Sequence, residues 1–247
     1  MPSWLGLVGL ALAGVGAGAL NIVAGGGSFL TLPLLIFYGL PAGMANGTNR
    51  IGVVTQNIGG VWGFHRHGTL NWRWALGASV PALIGAAFGV WAALSIPDFA
   101  FKRILSVAMV VMTLFSIAGQ RRVMTRQAVR PPSHWTVVGG FFLAGLYGGF
   151  IQAGVGFLIL AVTTAAGMDL VRGNAVKALS VLLLTLLSLA AFATAGQVDW
   201  PSGLALGFGN FVGGFIGVRV AVLRGHAWLE KAVVVTVILF AVLLWLN

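Results

Sequence analysis

Two glycine clusters set in apolar sequence carry the clearest chemical potential in this chain. The first is Asn21-Ile22-Val23-Ala24-Gly25-Gly26-Gly27-Ser28-Phe29-Leu30, and the second, Gly149-Phe150-Ile151-Gln152-Ala153-Gly154-Val155-Gly156-Phe157-Leu158, begins 128 positions later. Glycine lets a backbone turn and leaves its N–H groups unscreened by side chains. A helix that restarts after such a break, as predicted at Ser28 and Gly156, offers unpaired N–H donors and partial positive charge. Gly25, Gly26, Gly27 and Ser28, with Gln152, Gly154 and Gly156, are therefore candidates to hold an anion.

Polar residues downstream of each cluster extend the candidate site. Asn46-Gly47-Thr48-Asn49-Arg50 and Asn174-Ala175-Val176-Lys177 each set an amide before a cation near the predicted start of a helix. Asn46 and Asn174 stand 128 apart, and Arg50 and Lys177 are one position out of that register. Thr55-Gln56-Asn57 is the most polar run within any predicted crossing. Asn46, Asn49, Arg50, Gln56, Asn174 and Lys177 join the candidate set on these grounds. The plainer reading is that Arg50 and Lys177 snorkel to the membrane interface. For the glycines scattered through Gly6–Gly18 and Gly203–Gly217, close helix packing is explanation enough.

The remaining chemistry is sparse. The acids are Asp98, Asp169, Asp199 and Glu230, each beside a predicted loop, so no carboxylate proton relay is expected within the membrane. A cationic substrate would likewise lack a counter-ion. There are no cysteines, and the four histidines (His65, His67, His134, His226) fall in or beside loops without ligand spacing. No phosphate-binding loop, zinc-protease motif or nucleophile elbow is present. The reading is a non-enzyme with no catalytic residue, no metal site and no cofactor.

What must position the candidate residues is a membrane fold. Of 247 residues, 59% are hydrophobic and 7% charged, with a mean hydropathy of +1.00. Soluble domains carry roughly 25% charged residues. Apolar runs of about 20 residues divided by short polar loops describe an all-α polytopic membrane protein. The net charge of +10 fits loops that orient a membrane chain, and no basic domain outside the bilayer invites nucleic acid. The first apolar run has no Lys or Arg before it, and its pattern returns near residue 138. It is read as a structural segment and not as a cleaved signal. Trp72, Trp74, Trp135, Trp200, Trp228 and Trp245 lie near segment ends as interfacial anchors, whereas Trp62 and Trp91 are expected to pack inside.

Apolar runs are predicted at about 4–24, 28–38, 46–62, 75–95 and 101–118, followed by a basic stretch with Arg121, Arg122, Arg126 and Arg130. That stretch divides the chain into a first transmembrane repeat (1–119), a linker (120–134) and a second repeat (135–247). At the constant offset of 128, Gly26 matches Gly154, Gly39 matches Gly167, Gly68 matches Gly196 and Gly89 matches Gly217. Internal duplication is the usual build of a secondary transporter. The run 28–38 is too short to span alone, rising roughly 16 Å as a helix.

Charge chooses between a continuous broken crossing and a hairpin that enters and returns. With the linker cytoplasmic and the clusters as hairpin tips, Arg66, Arg73, Arg121, Arg122, Arg126, Arg130, Arg172, Lys177, Arg219, Arg224 and Lys231 face inside. Only Arg50, Lys102 and Arg103 then face outside. The alternative leaves six inside against eight outside, so the positive-inside rule favours two inverted-topology repeats. Each has a glycine-tipped helical hairpin plus three transmembrane helices, and the tips are expected to meet near the midplane.

The motif order resembles one known family. Ala24-Gly25-Gly26-Gly27-Ser28-Phe29-Leu30-Thr31-Leu32-Pro33, Gly39-Leu40-Pro41, Ala45-Asn46-Gly47-Thr48-Asn49 and Gly68-Thr69-Leu70-Asn71-Trp72 look like the sulfite exporter TauE/SafE family. A weaker echo ends in Gly196-Gln197-Val198-Asp199-Trp200-Pro201, and the resemblance runs from about residue 6 to 224. Where the family often reads Gly-Thr-Ser, this chain has Gly47-Thr48-Asn49. The resemblance implies a multi-pass carrier of the bacterial inner membrane that exports sulfite, sulfoacetate or another organosulfonate. Its partners would be the lipid bilayer and a small anion, and Gly/Ala-rich surfaces allow a homodimer. A non-transporting scaffold or assembly factor is the alternative.

Overall fold

The computed structural model describes residues 4–125 and 133–223. Within them the chain forms α1 (Trp4–Ala24), α2 (Ser28–Phe37), α3 (Ala42–Arg66), α4 (Trp72–Ser95) and α5 (Asp98–Thr125). Then follow α6 (His134–Phe150), α7 (Val155–Ala165), α8 (Leu170–Thr194) and α9 (Trp200–Leu223). There is no strand among the described residues. Most of the expected linker (126–132), with Arg126 and Arg130, and the last apolar segment (224–247) lie outside them. The first part of the expected linker, 120–125, is the end of α5.

Trp4–Val23, Trp72–Ser95, Leu170–Thr194 and Trp200–Ala221 are each long and apolar enough to cross a bilayer. This is a multi-span α-helical membrane protein. The 25-residue α3 is long but too polar for lipid on all sides, and its polar residues are buried against α8 and α9.

Helix ends are set by local chemistry. Asn71 caps α4 by accepting from Trp74 N–H at 3.1 Å, and Asp169 caps α8 by accepting from Val171 and Arg172 N–H. Asp98 accepts from Gly43 N–H at 2.7 Å, so the described acids sit at helix starts, where the dipole favours them. After α2, Gly39 takes φ +100° while Leu40 N–H reaches back to Leu35 O. This left-handed stop ties up the last carbonyls. The same stop recurs at Gly167, with φ +87° and Met168 N–H on Thr163 O.

The α3 boundary departs from the sequence expectation. The helix begins at Ala42 after Pro41, one turn before Asn46, because proline cannot donate and suits a helix start. Arg50 consequently lies more than two turns inside, fully buried.

Glycines set the helix spacing. Gly14 and Gly18 of α1 lie against the backbone of α9 at Gly209 and Asn210, and Gly85 and Gly89 of α4 against α6 at Phe142 and Leu146. A Cβ at Gly14 would stand 2.6 Å from Leu206 O, so small residues are required for this approach. The two breaks turn the chain back on itself: Gly27 of the first packs on Ala17 and Asn21, and Tyr38 beyond α2 packs on Gly6. In the same way Gly148 meets Val155 and Gly140 meets Val162, so α2 returns along α1 and α7 along α6.

One packing expectation is overturned. Trp91 is 70% exposed and Trp62 is 48% exposed, so neither ring is in the core. Trp91 belongs to an apolar stripe with Val80, Ile84 and Phe88 along α4, the kind of face a helix offers to lipid.

Candidate functional site

The two breaks meet. Gly25, at φ +86°, lies directly against Gly156: a Cβ at Gly156 would stand 2.6 Å from Gly25 Cα, and one at Gly25 would stand 2.8 Å from Gly156 C. No side chain fits between them, which is why both positions are glycine. Phe29 and Phe157 stack beside this contact with ring centroids 6.1 Å apart. The second break is held by Gln152 at φ +66° and Gly154 at φ +82°. Tyr147 Oη donates to Ala153 O at 2.7 Å across it.

Around the contact, polar side chains bridge the halves of the chain. Arg50 donates through Nη2 to Gly149 O at 2.6 Å, and through Nη1 to Gly148 O at 3.2 Å and Gln152 Oε1 at 3.0 Å. Its guanidinium carbon lies 4.6 Å over the Phe192 ring. Lys177 Nζ donates to Asn21 O at 2.9 Å and Ile22 O at 2.7 Å. Asn46 Nδ2 donates to Phe150 O at 2.9 Å, and Asn174 Nδ2 to Val23 O at 3.3 Å. Each of these carbonyls lies at the end of the first helix of the opposite half, where oxygens short of intrahelical donors and negative dipole charge gather, and Asn21 O also accepts from Gly25 N–H at 2.9 Å. The cations answer both.

Beside Gly156 lies a pocket lined by Asn21, Gln56, Asn57, Gln152, Val155, Gly156, Lys177 and Val181, with a cavity volume of about 10 Å³. Gln152 Oε1 accepts from Arg50 and, at 3.3 Å, from Thr185 Oγ1. Two donors on that oxygen fix the amide orientation and leave Nε2 as the donor toward the rest of its surroundings. Lys177 is the charged group of the pocket wall. A pocket with an ammonium, amide donors and no carboxylate suits an anion.

Of the residues expected from sequence, Gln56, Gln152, Gly156 and Lys177 line this pocket. Gly25 touches it through Gly156. Gly27 packs on α1, and Gly154 packs against the Phe29 ring. Asn46, Arg50 and Asn174 bind the helix-end carbonyls outside the wall. Asn49 Oδ1 accepts from Thr31 Oγ1, while its Nδ2 is buried without a partner. Gly26 lies in the first break and Ser28 opens α2, and neither lines the pocket. Asn21 and Asn57, outside the candidate set, also line the pocket. Their signal in the sequence is the amide side chain itself, isolated in an apolar run. Among the described residues, no group of three or more His, Asp or Glu is placed to hold a metal ion.

The sequence profile of the family described as "Sulfite exporter TauE/SafE" matches residues 10–244. The chain belongs to the TauE/SafE family. It is a multi-pass membrane transporter of the bacterial inner membrane, not an enzyme. Among similar proteins, "Probable membrane transporter protein ORF9" of a Sinorhizobium species is 26% identical over 228 residues, covering 92% of this chain and 87% of its own. A "Probable membrane transporter protein" of Haemophilus influenzae is 26% identical over 225 residues, covering 89% and 86%. "Probable membrane transporter protein YfcA" of Escherichia coli K12 is 24% identical over 224 residues, covering 89% and 82%. No solved structure matches this TauE/SafE chain.

Proposed function

We propose that this TauE/SafE protein is a secondary transporter that exports a small sulfur-containing anion, such as sulfite, sulfoacetate or another organosulfonate. The observation that carries the reading is the meeting of Gly25 and Gly156 beside a pocket whose charged wall is Lys177. The anion's oxygens take hydrogen bonds from Lys177, from the Gln56, Asn57 and Gln152 amides, and from the Gly156 N–H in the first turn of α7, since the Val155 and Phe157 N–H groups are bonded to Gln152 O and Gly154 O. That helix begins at Val155 with its positive end at the pocket.

The build supports alternating access. The ends of α3 and α4 recur 128 residues on as those of α8 and α9, which supports two repeats. The return of α2 along α1 and of α7 along α6 supports re-entrant hairpins, and the charge distribution supports their inversion with the linker cytoplasmic. A cavity of about 10 Å³ holds about one water molecule. An oxyanion enters only when the two tips part, toward one side of the membrane and then the other.

The test is flux in proteoliposomes loaded with labelled sulfite, sulfoacetate and a panel of other small anions. Saturable efflux of a sulfur oxyanion is expected. No saturable anion flux across the panel would overturn the proposal in favour of a scaffold.

A further inference from the structure

A second cavity lies far from the glycine tips, where the starts of α4 and α6 diverge beside the end of α7. It has a volume of about 550 Å³. Its floor is apolar, with Ala78, Pro81, Val137 and Phe141, and its rim carries Arg73 and His134. Trp74 stands in its wall, edge-on to Phe141 with centroids 5.8 Å apart. Trp72 and Trp135 are exposed on either side, which sets the rim at the level of the lipid headgroups. Arg73 is exposed and makes no ion pair with an acid among the described residues.

The reason this cavity exists can be read by comparing the two halves. Position 134 lies 128 residues after Gly6, and Ala166 lies 128 residues after Tyr38. In the first half the Tyr38 ring packs so closely over Gly6 that a Cβ there would overlap its hydroxyl. The corresponding position in the second half is an alanine, and the space a tyrosine would fill is open. A plug in one half is thus replaced in the other by a groove with a cationic rim.

We infer that this groove binds one anionic phospholipid, such as phosphatidylglycerol. The phosphodiester sits between Arg73 and His134 near the N-terminal ends of α4 and α6. One acyl chain lies on Pro81, Val137 and Phe141. Charge decides the headgroup: a basic notch between transmembrane helices favours an anionic lipid over a zwitterionic one. The apolar floor decides for a lipid over a free phosphate ion, which has nothing to bury there.

Native mass spectrometry of the detergent-purified full chain tests this, with phosphatidylglycerol, phosphatidylcholine or inorganic phosphate added in turn. One phosphatidylglycerol should be retained with at least about fivefold preference over phosphatidylcholine, the scale of one interfacial Arg. Ala166→Tyr should abolish retention by restoring the plug, and Arg73→Gln should abolish the headgroup preference while leaving the groove. Both changes lie outside the transport pocket, and the elution profile and thermal midpoint of each variant in detergent check its fold independently of transport. Equal retention of the two lipids would overturn the inference. Retention unchanged in a folded Ala166→Tyr protein, or binding of inorganic phosphate as strong as that of the lipid, would do the same. If Ala166→Tyr fails to fold, the Arg73→Gln comparison decides alone.

Discussion

Arg50 closes the end of α6 as Lys177 closes the end of α1. Each cation reaches across to the opposite half and donates to two consecutive main-chain carbonyls, Gly148 and Gly149 for Arg50, and Asn21 and Ile22 for Lys177. They differ in what lies on their far side. Arg50 is fully buried under Phe192 and bound to Gln152, whereas Lys177 forms part of a pocket wall. Their roles therefore separate under mutation.

Arg50→Met should destabilise the protein. It removes the donor for two buried carbonyls and one of the two donors to Gln152 Oε1, which keeps Thr185 Oγ1, and each orphaned carbonyl costs about 1–3 kcal/mol. Relief of the desolvated guanidinium offsets part of that, leaving a net loss of about 2 kcal/mol. Thermal unfolding in detergent should show a midpoint several degrees lower. An unchanged or raised midpoint would mean that Arg50 is not a structural clasp.

Gly156→Ala should block transport without unfolding the chain. Its φ is not left-handed, so the penalty comes from the Cβ, which would lie 2.6 Å from Gly25 Cα and must push the tips apart. Flux should fall by about tenfold or more, the equivalent of ~1.4 kcal/mol in a barrier. Gly167→Ala is the control: its φ is +87° with nothing near the added methyl. It should cost about 1–2 kcal/mol of stability through backbone strain and leave flux intact. Equal flux in both variants would remove the tips from the mechanism.

These contrasts show what the sequence could and could not reveal. The breaks before Ser28 and Val155 were legible because glycines amid apolar residues have few other uses, and the 128-residue register tied them together, with α7 starting one residue before the expected Gly156. Trp62 and Trp91 misled because a large apolar ring is equally at home against lipid and in a core. The partners of Arg50 were hidden for another reason. Main-chain carbonyls at a helix end carry no side-chain signature, and their distance in sequence, such as 99 positions from Arg50 to Gly149, leaves no local pattern. Asn21 and Asn57 were obscured similarly, since an amide in a helix declares neither its direction nor its neighbour.

Lys177→Gln should abolish anion transport while sparing the fold more than Arg50→Met does. The glutamine amide can still donate to Asn21 O or Ile22 O, so the helix end keeps a partner. The positive charge facing the pocket is lost. Removing the charged member of a buried, hydrogen-bonded pair costs about 2–5 kcal/mol of binding, or at least about thirtyfold in affinity. Sulfite efflux measured across a concentration series should lose saturation in the accessible range. Wild-type affinity in this variant would show that Lys177 only closes α1.

The final prediction concerns topology, and the absence of native cysteine makes it direct. His67 and Ala195 are both exposed, follow α3 and α8, and stand 128 residues apart. In a chain of inverted repeats, corresponding loops face opposite sides of the membrane. The basic loop around Arg66 and Arg73 belongs inside by the positive-inside rule, and its uncharged counterpart at Ala193–Ala195 belongs outside. Ala195→Cys should therefore react with a membrane-impermeant maleimide applied to intact spheroplasts, and His67→Cys only after permeabilisation. Labelling of both from the same side would make the halves parallel. The tips at Gly25 and Gly156 would then enter from one face, and alternating exposure of a shared pocket would lose its structural basis.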